Sequence, residues 1–155
     1  MCCGCSACVN ACNHHAITMK PDALGFLYPV VDTEKCVECS LCEKVCAFNA
    51  NYDKSANLSK AKTFAARLKD LNEVMNSQSG GAFVAFSDYV LDQGGVIYGA
   101  TFANNEFREV IHGRALTQRE RNGFRGSKYI QSNLNDIFSA VKKDLTEGRL
   151  VLFSG

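Results

Sequence analysis

Two stretches decide the fold of the first part of this chain: CCGCSACVNAC at residues 2–12 and CVECSLCEKVC at residues 36–46. Both have the spacing CxxCxxCxxxC, and together they use eight of the nine cysteines in the 155 residues. No cysteine follows Cys46. A secreted disulfide framework spreads its cysteines through the fold that it cross-links, so this distribution indicates a metal-bearing module joined to a conventional remainder.

The spacing predicts two 4Fe-4S clusters. Three cysteines at two-residue intervals wrap one iron–sulfur cube, and in two-cluster ferredoxins the fourth ligates the other cube. Structural zinc favours two separated ligand pairs, and adjacent CxxC pairs form awkward disulfides, so both alternatives are disfavoured. The predicted ligands are Cys2, Cys5, Cys8 and Cys46 for the first cluster, and Cys36, Cys39, Cys42 and Cys12 for the second.

Three neighbouring side chains fit no ligand position in this scheme. We interpret Cys3 as a small packed side chain, and His14 and His15 as residues that cover a cluster or face solvent. Between the repeats, AITM at 16–19 and YPVV at 28–31 flank a turn and predict a small β-hairpin over the clusters.

Composition and charge narrow the class of protein. The chain is 46% hydrophobic, and 17 Lys and Arg against 16 Asp and Glu leave a formal net charge of +1. No basic stripe supports nucleic-acid binding. No apolar run is long enough for a membrane span and no signal peptide is visible, so we expect a cytoplasmic protein.

The remainder of the sequence has the periodicity of an α/β domain. After the ferredoxin-like α+β module at 1–51 and a polar linker at 52–61, we expect an incomplete α/β domain at 62–155 that belongs to a longer polypeptide. The order of its elements implies parallel pairing with right-handed crossovers. The predicted elements are strands at 62–68, 95–102, 107–115 and 150–153, the last of them buried, a helix at 81–93, and a helix capped by Asn133 or Asn135 that runs to Glu147.

Two motifs in this part are candidates for contact with a cofactor. SQSGG at 77–81 precedes a helix, where backbone N–H groups favour an anion such as phosphate; the alternative is a simple cap and turn. RGSKY at 125–129 places two cations and a hydroxyl beside a glycine; its alternative is a solvated loop.

Taken together, the motifs resemble the N-terminal part of the coenzyme F-420 hydrogenase/dehydrogenase beta-subunit family, in its form with a fused ferredoxin domain. The resemblance extends over nearly the whole chain. The residues that carry it are CCGCSACVNAC, AITM, GFLYP, CVECSLCEKVC, SQSGGAF, VLDQGGVIYGATF, FRGSKYIQS and VLFSG, in that order.

The resemblance implies an oxidoreductase that passes electrons between two clusters and a flavin (FAD), which exchanges hydride with a deazaflavin or another acceptor. It also implies a redox partner protein or subunit, and we expect the 155 residues alone to be inactive. The candidate flavin-binding residues are Ser79, Gly80, Gly81, Ser127, Lys128 and Tyr129. Two alternatives stay open: a ferredoxin-like electron carrier without hydride chemistry, and a non-redox module in which the clusters only stabilise the fold.

Overall fold

The structure, a computed structural model, describes residues 2–49, 51, 61–104, 109–134 and 136–155. The chain divides into two compact units, Met1–Ala61 and Lys62–Gly155. The predicted linker lies outside the described residues except for Ala61. None of the helices in the described part of the chain is long and apolar enough to cross a membrane.

The first unit combines two short helices with one β-hairpin. Its elements are α1 (Ala7–Ala11), β1 (Ile17–Pro21), β2 (Leu27–Val31) and α2 (Leu41–Lys44). The two strands pair in antiparallel register from Ile17 opposite Val31 to Pro21 opposite Leu27, which confirms the predicted hairpin.

The hairpin turn is stabilised by one side chain. Asp22 Oδ1 accepts hydrogen bonds from the backbone N–H groups of Leu24 at 2.8 Å and Phe26 at 2.9 Å. Gly25 adopts a φ of 87°, a left-handed conformation that glycine enters without the steric cost of a Cβ. An aspartate and a glycine at these positions therefore fix the connection and, through it, the register of the strands.

The second unit is a small mixed sheet with helices. Its three strands lie in the order β4–β3–β5, with β3 and β4 antiparallel and β3 and β5 parallel. Its elements are α3 (Leu71–Met75), α4 (Ala82–Asp92), β3 (Val96–Phe102), β4 (Val110–Ala115), α5 (Gln118–Arg121), a 3₁₀ turn (Asn122–Phe124), α6 (Ile137–Thr146) and β5 (Val151–Phe153).

Several predicted elements are confirmed. The helix predicted at 81–93 is α4, and the strands predicted at 95–102 and 150–153 are β3 and β5. The strand predicted at 107–115 is β4 from Val110 onward, while residues 107 and 108 lie outside the described residues. Gly94 and Gly148 follow α4 and α6 with φ values of 70° and 77°, as expected of glycines that end helices.

The strand predicted at 62–68 is wrong. This segment has no regular secondary structure, and the Leu68 N–H donates a 2.8 Å hydrogen bond to the carbonyl of Gly80 instead of to a sheet neighbour. The side chain of Phe64 is 80% exposed. The apolar residues of this segment therefore gave a false strand signal, because its backbone is bonded to a loop.

The expected parallel pairing is confirmed in part, for β3 and β5, and the predicted helix cap needs correction. β3 and β4 form an antiparallel pair, and only β5 pairs with β3 in parallel. Asn133 pairs with Ile111 in an isolated bridge, so its backbone extends the sheet rather than starting α6. Asp136 occupies the cap position without a side-chain cap, and Asn135 lies outside the described residues.

The core of the second unit lies between α4 and β3. Fully buried apolar side chains line this layer, and Ser87 within α4 donates its hydroxyl to the Val84 carbonyl at 3.0 Å. β5 is an edge strand whose Phe153 is 39% exposed, so the prediction that it is buried is wrong. The buried apolar residues of this unit are Val84, Val90, Val96, Ile97, Tyr98, Val110 and Ala115.

A polar network fastens α6 to the sheet. Asp144, only 3% exposed, accepts bidentate hydrogen bonds from Arg114 at 2.7 and 2.8 Å and a short hydrogen bond from the Tyr98 hydroxyl. The hydrogen bonds from Arg114 hold the pKa of Asp144 down at about 2; burial opposes this shift. A buried carboxylate in this position is tolerated because its charge and oxygen lone pairs are satisfied.

Candidate iron–sulfur centre and second cavity

The two cysteine loops share one backbone conformation. Gly4 and Glu38, at equivalent positions of the repeats, have φ values of 69° and 54°. Ser6 and Ser40, also equivalent, both have a φ of 58°. Left-handed conformations are uncommon outside glycine, so finding them at matching positions of both copies indicates a loop shape that the site requires.

This loop conformation favours the binding of an anionic group. Turns that alternate right- and left-handed residues turn successive N–H groups inward to form a concave nest, a feature of many iron–sulfur sites. Ser6 and Ser40 directly precede α1 and α2, and these two helices pack against each other. The repeats thus present two similar concave loops.

One cavity gathers cysteines from both repeats. It has a volume of about 390 Å³ and is lined by Cys36, Cys39 and Cys42 of the second repeat together with Cys12 of the first. These four are the residues that the spacing assigns to the second cluster. Because Cys12 is far from the other three in sequence, only the packing of the two repeats brings it to this cavity.

The other four predicted ligands influence one another electrostatically. Burial raises the pKa of the Cys5 thiol, the Ala7 N–H opposes the shift, and nearby Cys3 and Cys46 raise the pKa further. Burial likewise raises the pKa of Cys8, to which Cys5 and Cys2 contribute. Cys46, from the second repeat, therefore lies near the thiols of the first.

These pKa shifts have a chemical consequence. A crowded, partly desolvated group of thiols resists ionisation, and only the thiolate binds iron, so positive charge must compensate the sulfurs. An iron–sulfur cube supplies that charge. Within the described residues, no group of three or more His, Cys, Asp or Glu side chains is arranged around a single metal ion. The four cysteines that line one cavity suit a cube, because each thiolate then binds a different iron around a shared space.

Backbone N–H groups reach two of the ligand sulfurs. Gly4 N–H donates to Cys2 Sγ and Ala16 N–H donates to Cys12 Sγ, each at 3.4 Å. Ala16 is 1% exposed, so the second of these bonds lies at a buried position. Hydrogen bonds to the sulfurs are one of the means by which a protein tunes a cluster potential.

The second unit contains a cavity of about 490 Å³ that brings the two other sequence motifs together. SQSGG at 77–81 and RGSKY at 125–129 both line it, so the six candidate flavin residues share one site. The Ser127 N–H donates to Gln78 Oε1 at 2.9 Å and joins the motifs directly. The volume lies in the range of small-molecule sites.

A clamp of charged groups holds the RGSKY loop. Arg125 forms a short ion pair with Glu73 of α3 and donates to the Asn76 carbonyl at 3.4 Å. Lys128 Nζ donates to the carbonyls of Arg125 at 2.9 Å and Gly123 at 3.3 Å. Burial lowers the pKa of Lys128. The lysine therefore helps to order its own loop.

Contacts within the second unit explain why residues 80 and 81 of SQSGG are glycines. A Cβ at Gly80 would come within 2.4 Å of the Ala66 carbonyl oxygen, and one at Gly81 within 2.6 Å of the Leu68 side chain. Gly81 also has a φ of 83°. A side chain at Gly80 is therefore excluded by the 66–68 segment, which lies directly against it.

The SQSGG loop leaves the N-terminus of α4 without a side-chain cap. Gly81 precedes Ala82 as the cap residue, and no side chain caps the helix. Gly81, Ala82, Phe83 and Val84 all line the cavity. The uncapped first-turn N–H groups and the helix dipole favour an anion at this end of the cavity.

Sequence reasoning missed several residues of this cavity. Phe124 packs over Gly99 of β3, where a Cβ would come within 2.8 Å of its ring, and both line the cavity. Glu73, which holds the RGSKY loop from α3, has no signature in the sequence, and the SQSGG motif does not reveal that its Gln78 accepts a hydrogen bond from Ser127. These contacts link residues about fifty positions apart, which local patterns do not reveal.

Comparison with known protein families identifies the first unit. Residues 1–50 match the 4Fe-4S dicluster domain family. No curated protein matches the chain. The match and the arrangement of the cysteines support an iron–sulfur electron-transfer role for the first unit.

Proposed function

We propose that this chain is the iron–sulfur electron-transfer part of a flavin-dependent oxidoreductase. In this proposal the first unit binds two 4Fe-4S clusters through Cys2, Cys5, Cys8 and Cys46 and through Cys36, Cys39, Cys42 and Cys12. The second unit binds a flavin, FAD, that exchanges hydride with a deazaflavin or another acceptor. When bound, the clusters transfer single electrons, and the flavin links one-electron to two-electron chemistry.

The observation that carries the cluster assignment is the cavity shared by Cys12, Cys36, Cys39 and Cys42. Crossed ligation requires one cysteine of each repeat to reach the other repeat, and the position of Cys12 in the lining of this cavity supports it. Cys46 is among the groups that raise the pKa of Cys5, which supports a ligand from the second repeat at the first cluster.

The flavin assignment rests on the second cavity and on the resemblance of its motifs. A flavin nucleotide carries phosphate, and the uncapped start of α4 offers N–H donors at one side of the cavity. The chain's own contribution is to bind and orient: the Gln78–Ser127 bond fixes the two loops relative to each other. Apolar Phe83 and Phe124 contribute lining suited to an aromatic ring system.

A charge-specific pair of variants tests the phosphate part of this proposal. Ala82 is exposed and begins α4, where a glutamate favours the helix dipole. Ala82→Glu should therefore leave the helix intact but repel a phosphate, while Ala82→Gln, of the same size, should not. We expect FAD and FMN to bind the Glu variant at least about tenfold more weakly than the Gln variant.

The measurement is a titration of the anaerobically reconstituted 155-residue chain, followed by flavin fluorescence. Riboflavin, which lacks phosphate, is the control ligand and should bind both variants equally. Equal FAD affinity in both variants would overturn the phosphate site. If wild-type protein with reversibly reducible clusters binds no flavin, these 155 residues contain the electron-carrying clusters but not a complete flavin site.

A further inference from the structure

The two cluster sites differ in charge although their backbones match. Glu38 and Glu43 line the cavity of Cys12, Cys36, Cys39 and Cys42. The equivalent residues of the first repeat are Gly4 and Val9, and the whole stretch at 2–12 carries no Asp, Glu, Lys or Arg. The repeats therefore surround their clusters with unequal numbers of carboxylates.

The conformation of Glu38 suggests that its carboxylate has a function. Its φ of 54° lies in the left-handed region, where the first repeat has Gly4 at 69°. A residue with a Cβ costs roughly 1 kcal/mol or more in this region, and glycine would avoid that cost. A strained residue retained at a cofactor site motivates a hypothesis of function for its side chain.

Accepting the two clusters of the proposed function, we propose that Glu38 and Glu43 keep the Cys12/Cys36/Cys39/Cys42 cluster at a lower reduction potential than the Cys2/Cys5/Cys8/Cys46 cluster. Each cluster takes up one electron and gains one negative charge. Carboxylates beside the cavity oppose that charge by Coulomb repulsion. A single electron given to the module therefore rests on the cluster held mainly by the first repeat.

Other charged groups near this cavity do not cancel the effect. Lys35 is engaged by Asp32 at 3.1 Å, and Lys44, next to Glu43 in sequence, does not line the cavity. His14 does line it and adds at most one positive charge against two negative ones. At the other site, the stretch at 2–12 has no charged side chain to offset this difference.

The unequal reduction potentials give electron transfer between the two clusters a direction. An electron that enters at the cluster beside Glu38 must come from a strongly reducing one-electron donor, and it moves downhill to the other cluster. The low-potential cluster is filled only when the donor is strong enough to reduce both.

The test is a redox titration of the reconstituted chain with dithionite and mediator dyes, followed by paramagnetic resonance. Wild-type protein should show two separate one-electron potentials. Glu38→Gln should raise the lower of the two reduction potentials. We expect a shift that corresponds to a change of roughly threefold to tenfold in the one-electron equilibrium constant, where tenfold equals 59 mV. Glu34→Gln removes the same charge outside the cavity lining and should move neither potential as far.

A reciprocal variant moves the charge to the first repeat. Val9→Glu places a carboxylate at the position equivalent to Glu43 and should lower the higher potential, which narrows the gap. If this variant does not assemble clusters, Glu43→Gln takes its place and should raise the lower potential. Both readouts are potentials, so neither depends on an enzyme activity.

The outcomes separate this inference from the proposed function. A chain that binds no iron would refute the cluster assignment itself. Two reducible clusters whose lower potential is unmoved by Glu38→Gln, or whose higher potential moves instead, would overturn the inference and leave the proposed function standing. A smaller difference between the two reduction potentials in Val9→Glu supports the inference.

Discussion

The two units of this chain are stabilised in different ways. Among the described residues, the first unit buries only Ala16 and Ile17 as apolar side chains, while Leu24 and Phe26 are 82% and 52% exposed. The second unit buries seven apolar residues and adds the network around Asp144. So small an apolar core is insufficient to stabilise a unit of this size, and we expect the first unit to depend on its metal centres for folding.

Removal of iron should give the largest contrast between the units. With an iron chelator and reductant, residues 2–49 should lose hydrogen-exchange protection, because the thiolate–iron bonds organise them. The peptides of residues 62–155 should keep their protection, since their core contains no cysteine. Mass spectrometry of the two sets of peptides in one sample makes the measurement. Protection that persists in the first unit of the apoprotein would contradict the comparison.

Single cysteine substitutions test which thiols of the first unit bind iron. Cys39→Ser should lower the iron content from about eight to about four per chain, because one cube loses a ligand. Cys3→Ser changes the same atom at a cysteine outside the repeat and should leave about eight. Iron analysis of anaerobically reconstituted protein distinguishes them. Loss of a cluster in Cys3→Ser would show that the ligand assignment is wrong.

Asp144→Asn should be the most damaging polar change in the second unit. It leaves Arg114 without its carboxylate, at a cost of roughly 3 kcal/mol in the free energy of unfolding; the arginine is one-third exposed, which limits the effect. Iron content should not change. Urea unfolding, read by hydrogen exchange in residues 62–155, measures the loss.

The same variant carries a pH dependence of definite sign. The pKa of Asp144 is lowered from 3.8 to about 2 by Arg114 and Tyr98, so the folded state favours the ionised form. The stability advantage of wild type over Asp144→Asn should be complete above about pH 4 and should disappear as the pH falls toward about 2. An advantage that grows on acidification would contradict the assignment.

Thr117→Ala should have the smallest effect of this series. Thr117 and Glu120 form a capping box at the start of α5, with Glu120 N–H donating to the threonine hydroxyl at 3.3 Å. Its loss should cost about 1 kcal/mol in the second unit and nothing in the first. Thr117→Ser, which retains the hydroxyl, is the matched control and should remain close to wild type.

The sequence predicts the two units unequally well, for a physical reason. In the first unit, ligand spacing and the Asp22–Gly25 turn are local signals, and the hairpin follows from them. In the second unit, the strong periodicity of α4 and β3 is also local and is confirmed. The strand at 62–68 fails because the bonding partner of Leu68 is Gly80, which a pattern of apolar residues does not encode.

The second cavity shows the same limit at the level of a site. The motifs at 77–81 and 125–129 are visible in the sequence, and they do line one cavity. The Gln78–Ser127 bond joins them, and the Glu73–Arg125 pair holds the second motif to α3; both are long-range contacts. Their geometry depends on tertiary packing, so the sequence shows Gln78 only as a member of SQSGG and does not single out Glu73.

The arrangement of Cys12 beside Cys36, Cys39 and Cys42 has a consequence for biosynthesis. As the ribosome extends the chain, Cys12 is made well before the three cysteines with which it shares the cavity. Under the proposed crossed ligation, metal delivered to the emerging first repeat finds an incomplete ligand set, so we expect iron loading to wait for the second repeat to be released and to pack. The order of synthesis then makes metallation of this unit a late event.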